Sequence, residues 1–221
     1  MKKFLTAVCC FVLFSTSMAS AGQGGLGMAL KAGTLGAGIE GTMGITDTVN
    51  ARLGFNYFSM DHDLTESNVE YEFELDLMSI ALLLDWHPLD NGFRFTAGAL
   101  YNGNEFDATG KPTAGSYSIH NTTYTAAEVG TLSGSIDFDD FAPYVGIGYG
   151  NAVGKNKRWC FAFDLGLMYQ GSPDVRFSAN GTSSGIAAFQ SDLEAERRQL
   201  EDELDDFSFY PVISFGVSYK F

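Results

Sequence analysis

The sequence predicts an all-β protein, an eight-stranded antiparallel transmembrane up-and-down β-barrel with a short helix in its last extracellular loop. Three observations carry this. The chain ends on a strand with one apolar face, it begins like an exported protein, and two-residue alternation recurs between the two ends.

In residues 211–221, Ile213, Phe215, Val217, Tyr219 and Phe221 are apolar, while Ser214, Gly216, Ser218 and Lys220 are small or polar. A strict period of two makes a strand with one greasy and one wet face. The closing strand of a transmembrane barrel needs this pattern, since one face meets lipid and the other a polar interior.

At the other end, Lys2 and Lys3 precede an apolar run and then Ala19-Ser20-Ala21. This reads as a signal peptide over residues 1–21, cleaved after Ala21, with the barrel over 22–221. The run is too short for a spanning helix, and no other segment approaches the ~20 apolar residues that one needs. Cys9 and Cys10 would leave with the leader. Cys160 then stands alone, which excludes an internal disulfide and a disulfide-stapled secreted module. Without Lys2 and Lys3, 11 basic residues face 27 acidic ones. That balance excludes nucleic acid as a partner and favours cations. The 26 glycines and 14% aromatics suit short strands, tight turns and aromatic girdles.

Eight alternating stretches follow, at about 25–33, 36–46, from Val49, 68–86, from Phe93, 132–149, from Trp159 and 207–221. The links 45–50, 86–93 and 150–159 are short. The links 61–68, 107–132 and 180–207 are longer and polar. Short turns on the periplasmic side and long loops outside give the orientation, and an even strand number requires a tight outer turn near residues 33–36. Several strands exceed the ~10 residues that cross a bilayer, so the surplus should rise above the outer surface. Trp86 and Trp159 beside periplasmic turns, with Tyr57, Tyr101 and Tyr169 further up, read as aromatic belts. A soluble sandwich would share the alternation, but it leaves the leader and the terminal Phe without a role. In 185–206, Phe189, Leu193, Leu200 and Leu204 recur at helical spacing, with Ser191 as the expected N-cap. This is the loop helix, expected to cover loops or cap the barrel mouth.

Alternation assigns Lys31, Glu40, Arg52, Arg94, Asp164 and Lys220 to the interior. An eight-strand barrel is only wide enough for side chains or one small ligand. These charges should therefore pair, either as a plug or as a narrow path whose pairs rearrange to pass a small solute. Glu70, Glu72, Glu74 and Asp76 put four carboxylates on one face, with Val69, Tyr71, Phe73, Leu75 and Leu77 on the other. Near 79–84 both faces become apolar, which suggests a phase slip or bulge. The acid ladder should stand at or above the membrane surface. It is expected to act as a solvated wall, as an electronegative vestibule that concentrates cations, or as a bridge through divalent ions to lipopolysaccharide phosphates.

Catalysis finds no motif. His62, His87 and His120 are isolated, without metal spacing or a linked nucleophile, so no enzyme, metal or cofactor is expected.

Taken in order, several phrases resemble the CarO-type outer-membrane proteins. They are Arg52-Leu53-Gly54-Phe55-Asn56-Tyr57, Ala97-Gly98-Ala99-Leu100-Tyr101, Phe141-Ala142-Pro143-Tyr144-Val145-Gly146-Ile147-Gly148, Tyr169-Gln170-Gly171-Ser172-Pro173-Asp174-Val175 and Tyr210-Pro211-Val212. The chain is also similar to a broader group of proteobacterial barrels with the Asp85-Trp86-His87-Pro88 turn. The resemblance implies an eight-stranded barrel, uptake of ornithine and other basic amino acids, and a link to carbapenem susceptibility. It implies no substrate-contact residue. The end of the chain resembles the signature by which outer-membrane barrels are recognised for assembly, through Phe221. The expected location is the bacterial outer membrane, with its lipid and lipopolysaccharide as partners. Two functions stand open: a narrow channel for small cationic or zwitterionic solutes such as basic amino acids, or a non-conducting structural or surface-interaction barrel.

Overall fold

Strands with one apolar column and one small or polar column cannot pack as an open sheet without leaving pairing edges bare; a ring pairs every edge. The computed structural model describes residues 25–221 except 67–68, 90, 113 and 155–157. The predicted signal peptide lies outside the described residues. In chain order the strands are β1 (Leu26–Gly33), β2 (Gly36–Gly44), β3 (Val49–Glu66), β4 (Val69–Trp86), β5 (Phe93–Asn102), β6 (Glu105–Pro112), β7 (Ser116–Ile119), β8 (Thr122–Thr125), β9 (Leu132–Asp137), β10 (Phe141–Tyr149), β11 (Trp159–Tyr169), β12 (Asp174–Ala179) and β13 (Phe209–Lys220). Helix α1 (Ala126–Val129) follows β8. Helix α2 (Ala187–Leu204) and a 3-10 turn (Asp205–Ser208) precede β13.

Eight of these strands form the ring β1-β2-β3-β4-β5-β10-β11-β13, antiparallel throughout. The last strand closes on the first, from Gly27↔Lys220 to Gly33↔Ser214. The tight outer turn falls at residues 33–36, where Gly33 pairs with Gly36. Outward residues such as Leu30, Leu82, Val145, Phe161 and Phe215 are exposed all round the ring. A continuous apolar girdle of this kind belongs in hydrocarbon, not water. Aromatic residues bound the girdle. Trp86 stacks on Phe95 and Trp159 meets Tyr219 at one end, while Tyr169 meets Phe209 at the other.

Five predicted details change. The stretch 132–149 is not one strand, because Phe138, Asp139 and Asp140 break it into β9, outside the ring, and β10, within it. The predicted loop 61–68 is mostly strand, since β3 continues to Glu66 and β4 starts at Val69. The predicted loops 107–132 and 180–207 frame extra structure, with β6, β7, β8 and α1 around the first and β12 just before the second. No bulge interrupts residues 79–84. Pairing of β3 with β4 runs in one register from Val49↔Trp86 to Glu66↔Val69. Helix α2 begins at Ala187 with Ile186 at its N-cap, not at Ser191.

The surplus length of β3 and β4 has a partner of its own. β4 pairs with β5 only up to Ser79↔Asn102, then with β6 from Asp76↔Glu105 to Val69↔Pro112. β6 pairs with β9, and β9 with β12. The result is a wall, β3-β4-β6-β9-β12, standing beyond the girdle. Phe189 and Leu193 of α2 are buried with Ile119, Tyr124 and Val129, against Leu132, Phe177 and Ala179 of the wall. The acids on α2 bind the loops beneath it. Asp192 accepts from the Tyr124 hydroxyl (2.6 Å) and Glu196 from the His120 amide (2.8 Å). Arg197 joins Glu194 and Glu201 along the helix, and its hydrogen bonds, with those of Arg198, hold the Glu194 carboxyl down at about 2.

Phe189→Ala should cost the cap about 3–5 kcal/mol, since its side chain is wholly buried. Amide exchange at β7, β8 and β12 should accelerate while the ring keeps its heat-modifiable gel migration. Burial, followed by the nearby Asp107, Asp137 and Asp76, pushes the Glu105 carboxyl up. A carboxyl with a raised folded pKa destabilises its charged state, and that cost is relieved as pH falls through the folded value. Exchange in β6 and β9, corrected for intrinsic rates, should therefore slow as pH falls from neutral towards the usual glutamate range.

Candidate functional site

The inward column of each ring strand meets the others across a narrow lumen. β1 contributes Lys31, β2 Glu40, β3 Arg52, β4 Asp85, β5 Arg94 and β11 Asp164. Lys31 Nζ lies 3.1 Å from Glu40 Oε2 and 2.7 Å from Asp164 Oδ2. Arg52 lies 3.1 Å from Glu40, 2.7 Å from Asp85 and 3.3 Å from Asp164. Arg94 lies 2.6 Å from Asp164 and 3.6 Å from Asp85, and its Nη1 also donates to the Gly150 carbonyl. Thr96 donates to Asp85 at 2.7 Å and Ser214 to Asp164 at 3.3 Å. Three cations therefore meet three carboxylates, and all but Lys31 are buried. Asp164 is the hub, touching all three cations.

Glycines on neighbouring strands make room. A Cβ on Gly148 would sit 2.9 Å from both Arg94 Nε and an Asp164 oxygen. One on Gly166 would collide with the Tyr144 hydroxyl, which lies over this glycine from the neighbouring strand β10. On the outer side of the charges, Leu35, Ala81, Leu83, Leu100, Ala142, Tyr144, Met168 and Val212 pack into an apolar layer. Between the two layers lies a cavity of about 40 Å³ lined by Lys31, Glu40, Asn56, Tyr144, Asp164 and Ser214, among others. At ~10–15 Å³ per water, it holds a few waters and no amino acid.

The structure thus brings together Lys31, Glu40, Arg52, Arg94 and Asp164. Lys220 does not join them; its Nζ donates to the carbonyls of Val153 (2.9 Å) and Gly154 (3.1 Å). Asp85 belongs to the network, although the sequence reading left it in a turn phrase. The supposed slip at 79–84 hid the fact that it shares parity with the inward Ala81 and Leu83. The same unbroken parity moves the acid ladder. Glu70, Glu72, Glu74 and Asp76 share a face with the outward Ile80, Leu82 and Leu84, so they stand on the outer flank of the wall and do not line the mouth. The face continuous with the lumen carries Tyr71, Phe73 and Leu75. Lys111 on β6 reaches Glu72 at 2.5 Å, and Arg176 on β12 reaches Asp137 at 3.0 Å and Asp174 at 2.7 Å.

The histidines lie apart from one another. His62 is exposed on β3 above the girdle, His120 turns β7 into β8, and His87 is buried beside Asp85 and Arg94 at the short-turn end. Among the described residues, no three of His, Cys, Asp and Glu are grouped as metal ligands would be.

A closed ring of eight tilted strands, girdled by apolar residues and filled by paired charges, defines an outer-membrane β-barrel. Its fold is that of the CarO-type barrels. It superposes on the crystal structure of CarO2 from Acinetobacter baumannii with a TM-score of 0.59 and 23% identity, over 89% of this chain and 98% of that one. It superposes on CarO from the same organism with a TM-score of 0.58 and 23% identity, over 89% and 98%. A major outer membrane protein from Thermus thermophilus superposes at a TM-score of 0.42 and 13% identity, over 89% and 99%, too loosely to bear on the reading. No protein-family model matches the sequence, and no match was found among curated proteins.

Removing one member of the network leaves its partners buried and uncompensated. Arg52→Met should cost about 3–5 kcal/mol of barrel stability, read as a lower urea midpoint in lipid vesicles. Arg176→Met, at an exposed pair, should leave the midpoint nearly unchanged.

Proposed function

We propose that this chain is a closed barrel of the bacterial outer membrane, non-conducting at rest, that works through the wall it raises above the surface. The observation that carries this is the balanced network of Lys31, Arg52, Arg94, Glu40, Asp85 and Asp164 beneath an apolar layer. A solute crossing this lumen would have to part several buried pairs at once, each held in a low-dielectric interior. The network therefore acts as a strut. Surface contacts fall to the wall, the cap and the lipopolysaccharide around them.

A second reading has one specific observation behind it. The cavity wall carries Lys31 beside Glu40 and Asp164, a lining that suits a small zwitterionic or cationic solute such as a basic amino acid. This is also the activity that the CarO resemblance suggests. It requires the network to rearrange when a solute enters.

Purified protein in planar bilayers should show no discrete conductance, and vesicles carrying it should not swell in arginine, serine or glutamate. Swelling selective for arginine, weakened by Asp164→Asn, would favour the channel and end the closed-barrel reading.

A further inference from the structure

We infer that the upper half of β3 is a strand-addition site for an extended segment of another protein in which Lys or Arg alternates with apolar residues. β2 pairs with β3 only as far as Ala37↔Tyr57. Beyond it, β3 runs on through Phe58, Ser59, Met60, Asp61, His62, Asp63 and Leu64, paired among the described residues with β4 on one side only. Every one of these residues is exposed.

The direction of the free backbone follows from β4. The Met78 amide donates to Asn104 Oδ1 (3.2 Å) and its carbonyl accepts from the Gly103 amide (2.8 Å), so Met78 turns its backbone away from β3. Its cross-strand partner Tyr57 likewise turns away from β4, towards the end of β2, where its carbonyl lies beside Gly36. By antiparallel alternation, Ser59, Asp61 and Asp63 point their N–H and C=O groups outward from the open edge. Three consecutive outward pairs form a template for another strand. The opposite edge of the wall is treated differently. There, the Val175 amide on β12 donates to Glu201 of α2 (3.3 Å), so the helix covers it.

The side chains identify the occupant. Asp61 and Asp63 lie on the outer face of the wall, where the neighbouring columns add Glu70, Glu72, Glu74 and Asp76, then Glu105 and Asp107. On that face β6 supplies Lys111 and β12 supplies Arg176. An added strand places alternate side chains directly across from Asp61 and Asp63, and opposite charges there are favourable. On the other face Phe58, Met60 and Leu64 are 41%, 50% and 43% exposed, ready to cover apolar side chains. A second copy of this chain is the poorer occupant: antiparallel pairing about His62 would set Asp61 against Asp63 twice, adding like charges where Asp61 already opposes Glu74 and Asp63 opposes Glu72.

The site is separable from conduction, because binding at the edge is read whether or not the lumen opens. The test uses the full barrel in phosphatidylcholine nanodiscs and a fluorescent eight-residue peptide alternating Lys and Val, with a Glu/Val peptide as control. The Lys/Val peptide should bind at least tenfold more tightly and slow amide exchange at Ser59, Asp61 and Asp63. Asp61→Pro removes an edge donor that the β3–β4 ladder does not use, so the ring should form and binding should fall at least tenfold. Asp61→Asn should weaken binding while keeping the exchange protection at saturation. Absence of binding, binding without protection of these three amides, or unchanged binding by folded Asp61→Pro would overturn the inference. So would dimers cross-linked through Asp61→Cys in a Cys160→Ser background. If Asp61→Pro does not fold, the amide protection in the unaltered protein decides.

Discussion

A ring of eight strands encloses too little space to hydrate the charges it turns inward, so those charges must cancel in place. Three cations and three carboxylates do so, with Asp164 at the centre touching Lys31, Arg52 and Arg94. Much of the surrounding architecture serves that cancellation. Gly148 keeps its backbone clear of the Arg94–Asp164 pair, and Gly166 admits the Tyr144 hydroxyl. Thr96 and Ser214 supply hydroxyls to the carboxylates. The apolar layer from Leu35 to Val212 then separates the charges from the outer side, which strengthens each pair by lowering the local dielectric.

Length is the second constraint. A tilted strand needs ~10 residues to cross hydrocarbon, and β3 and β4 have 18 each. The lower halves belong to the barrel. At Ser79, β4 leaves β5, and three residues further up it takes β6 as its neighbour. The hairpin thus becomes the root of a separate sheet. Its outer face is acidic and its inner face apolar, because one alternation runs through both halves. What changes at the membrane surface is the residue type in the outward column, from Leu82 and Ile80 to Asp76 and Glu74. Among the described residues, the cap on the inner face covers β9 and β12 but leaves β3 bare, so the wall has one sealed edge and one open edge.

The ring was largely legible because lipid on one side and a lumen on the other force a period of two. Residues such as Leu30, Phe95, Leu165 and Phe215 mark it directly. The inward charges Lys31, Glu40, Arg52, Arg94 and Asp164 could be read from the same parity. Asp85 could have been read as well, had residues 79–84 been counted straight through; Ala81 and Leu83 are apolar yet inward, since the lumen has an apolar layer. Parity alone failed for Lys220, which is inward but too near the strand end to reach the network. It captures carbonyls in the 150–159 turn instead. In the wall, β6 and β12 escaped and β9 was joined to β10, because no lipid faces these strands and α2 covers only part of their inner side, which relaxes the pattern. In β9 the only large apolar residues are Leu132 and Ile136, with Ser133, Gly134 and Ser135 between them. The start of α2 escaped because Ile186 caps it without a side-chain hydrogen bond, leaving no polar signal to find.

The most direct test of a sealed lumen is chemical access to its apolar layer. Ala142 has no exposed surface and faces inward beside Leu100 and Tyr144. In a Cys160→Ser background, Ala142→Cys in intact vesicles should resist a small cationic methanethiosulfonate reagent, while Ser178→Cys on the wall reacts within minutes. Comparable reaction rates at the two positions would contradict a lumen closed by paired charges.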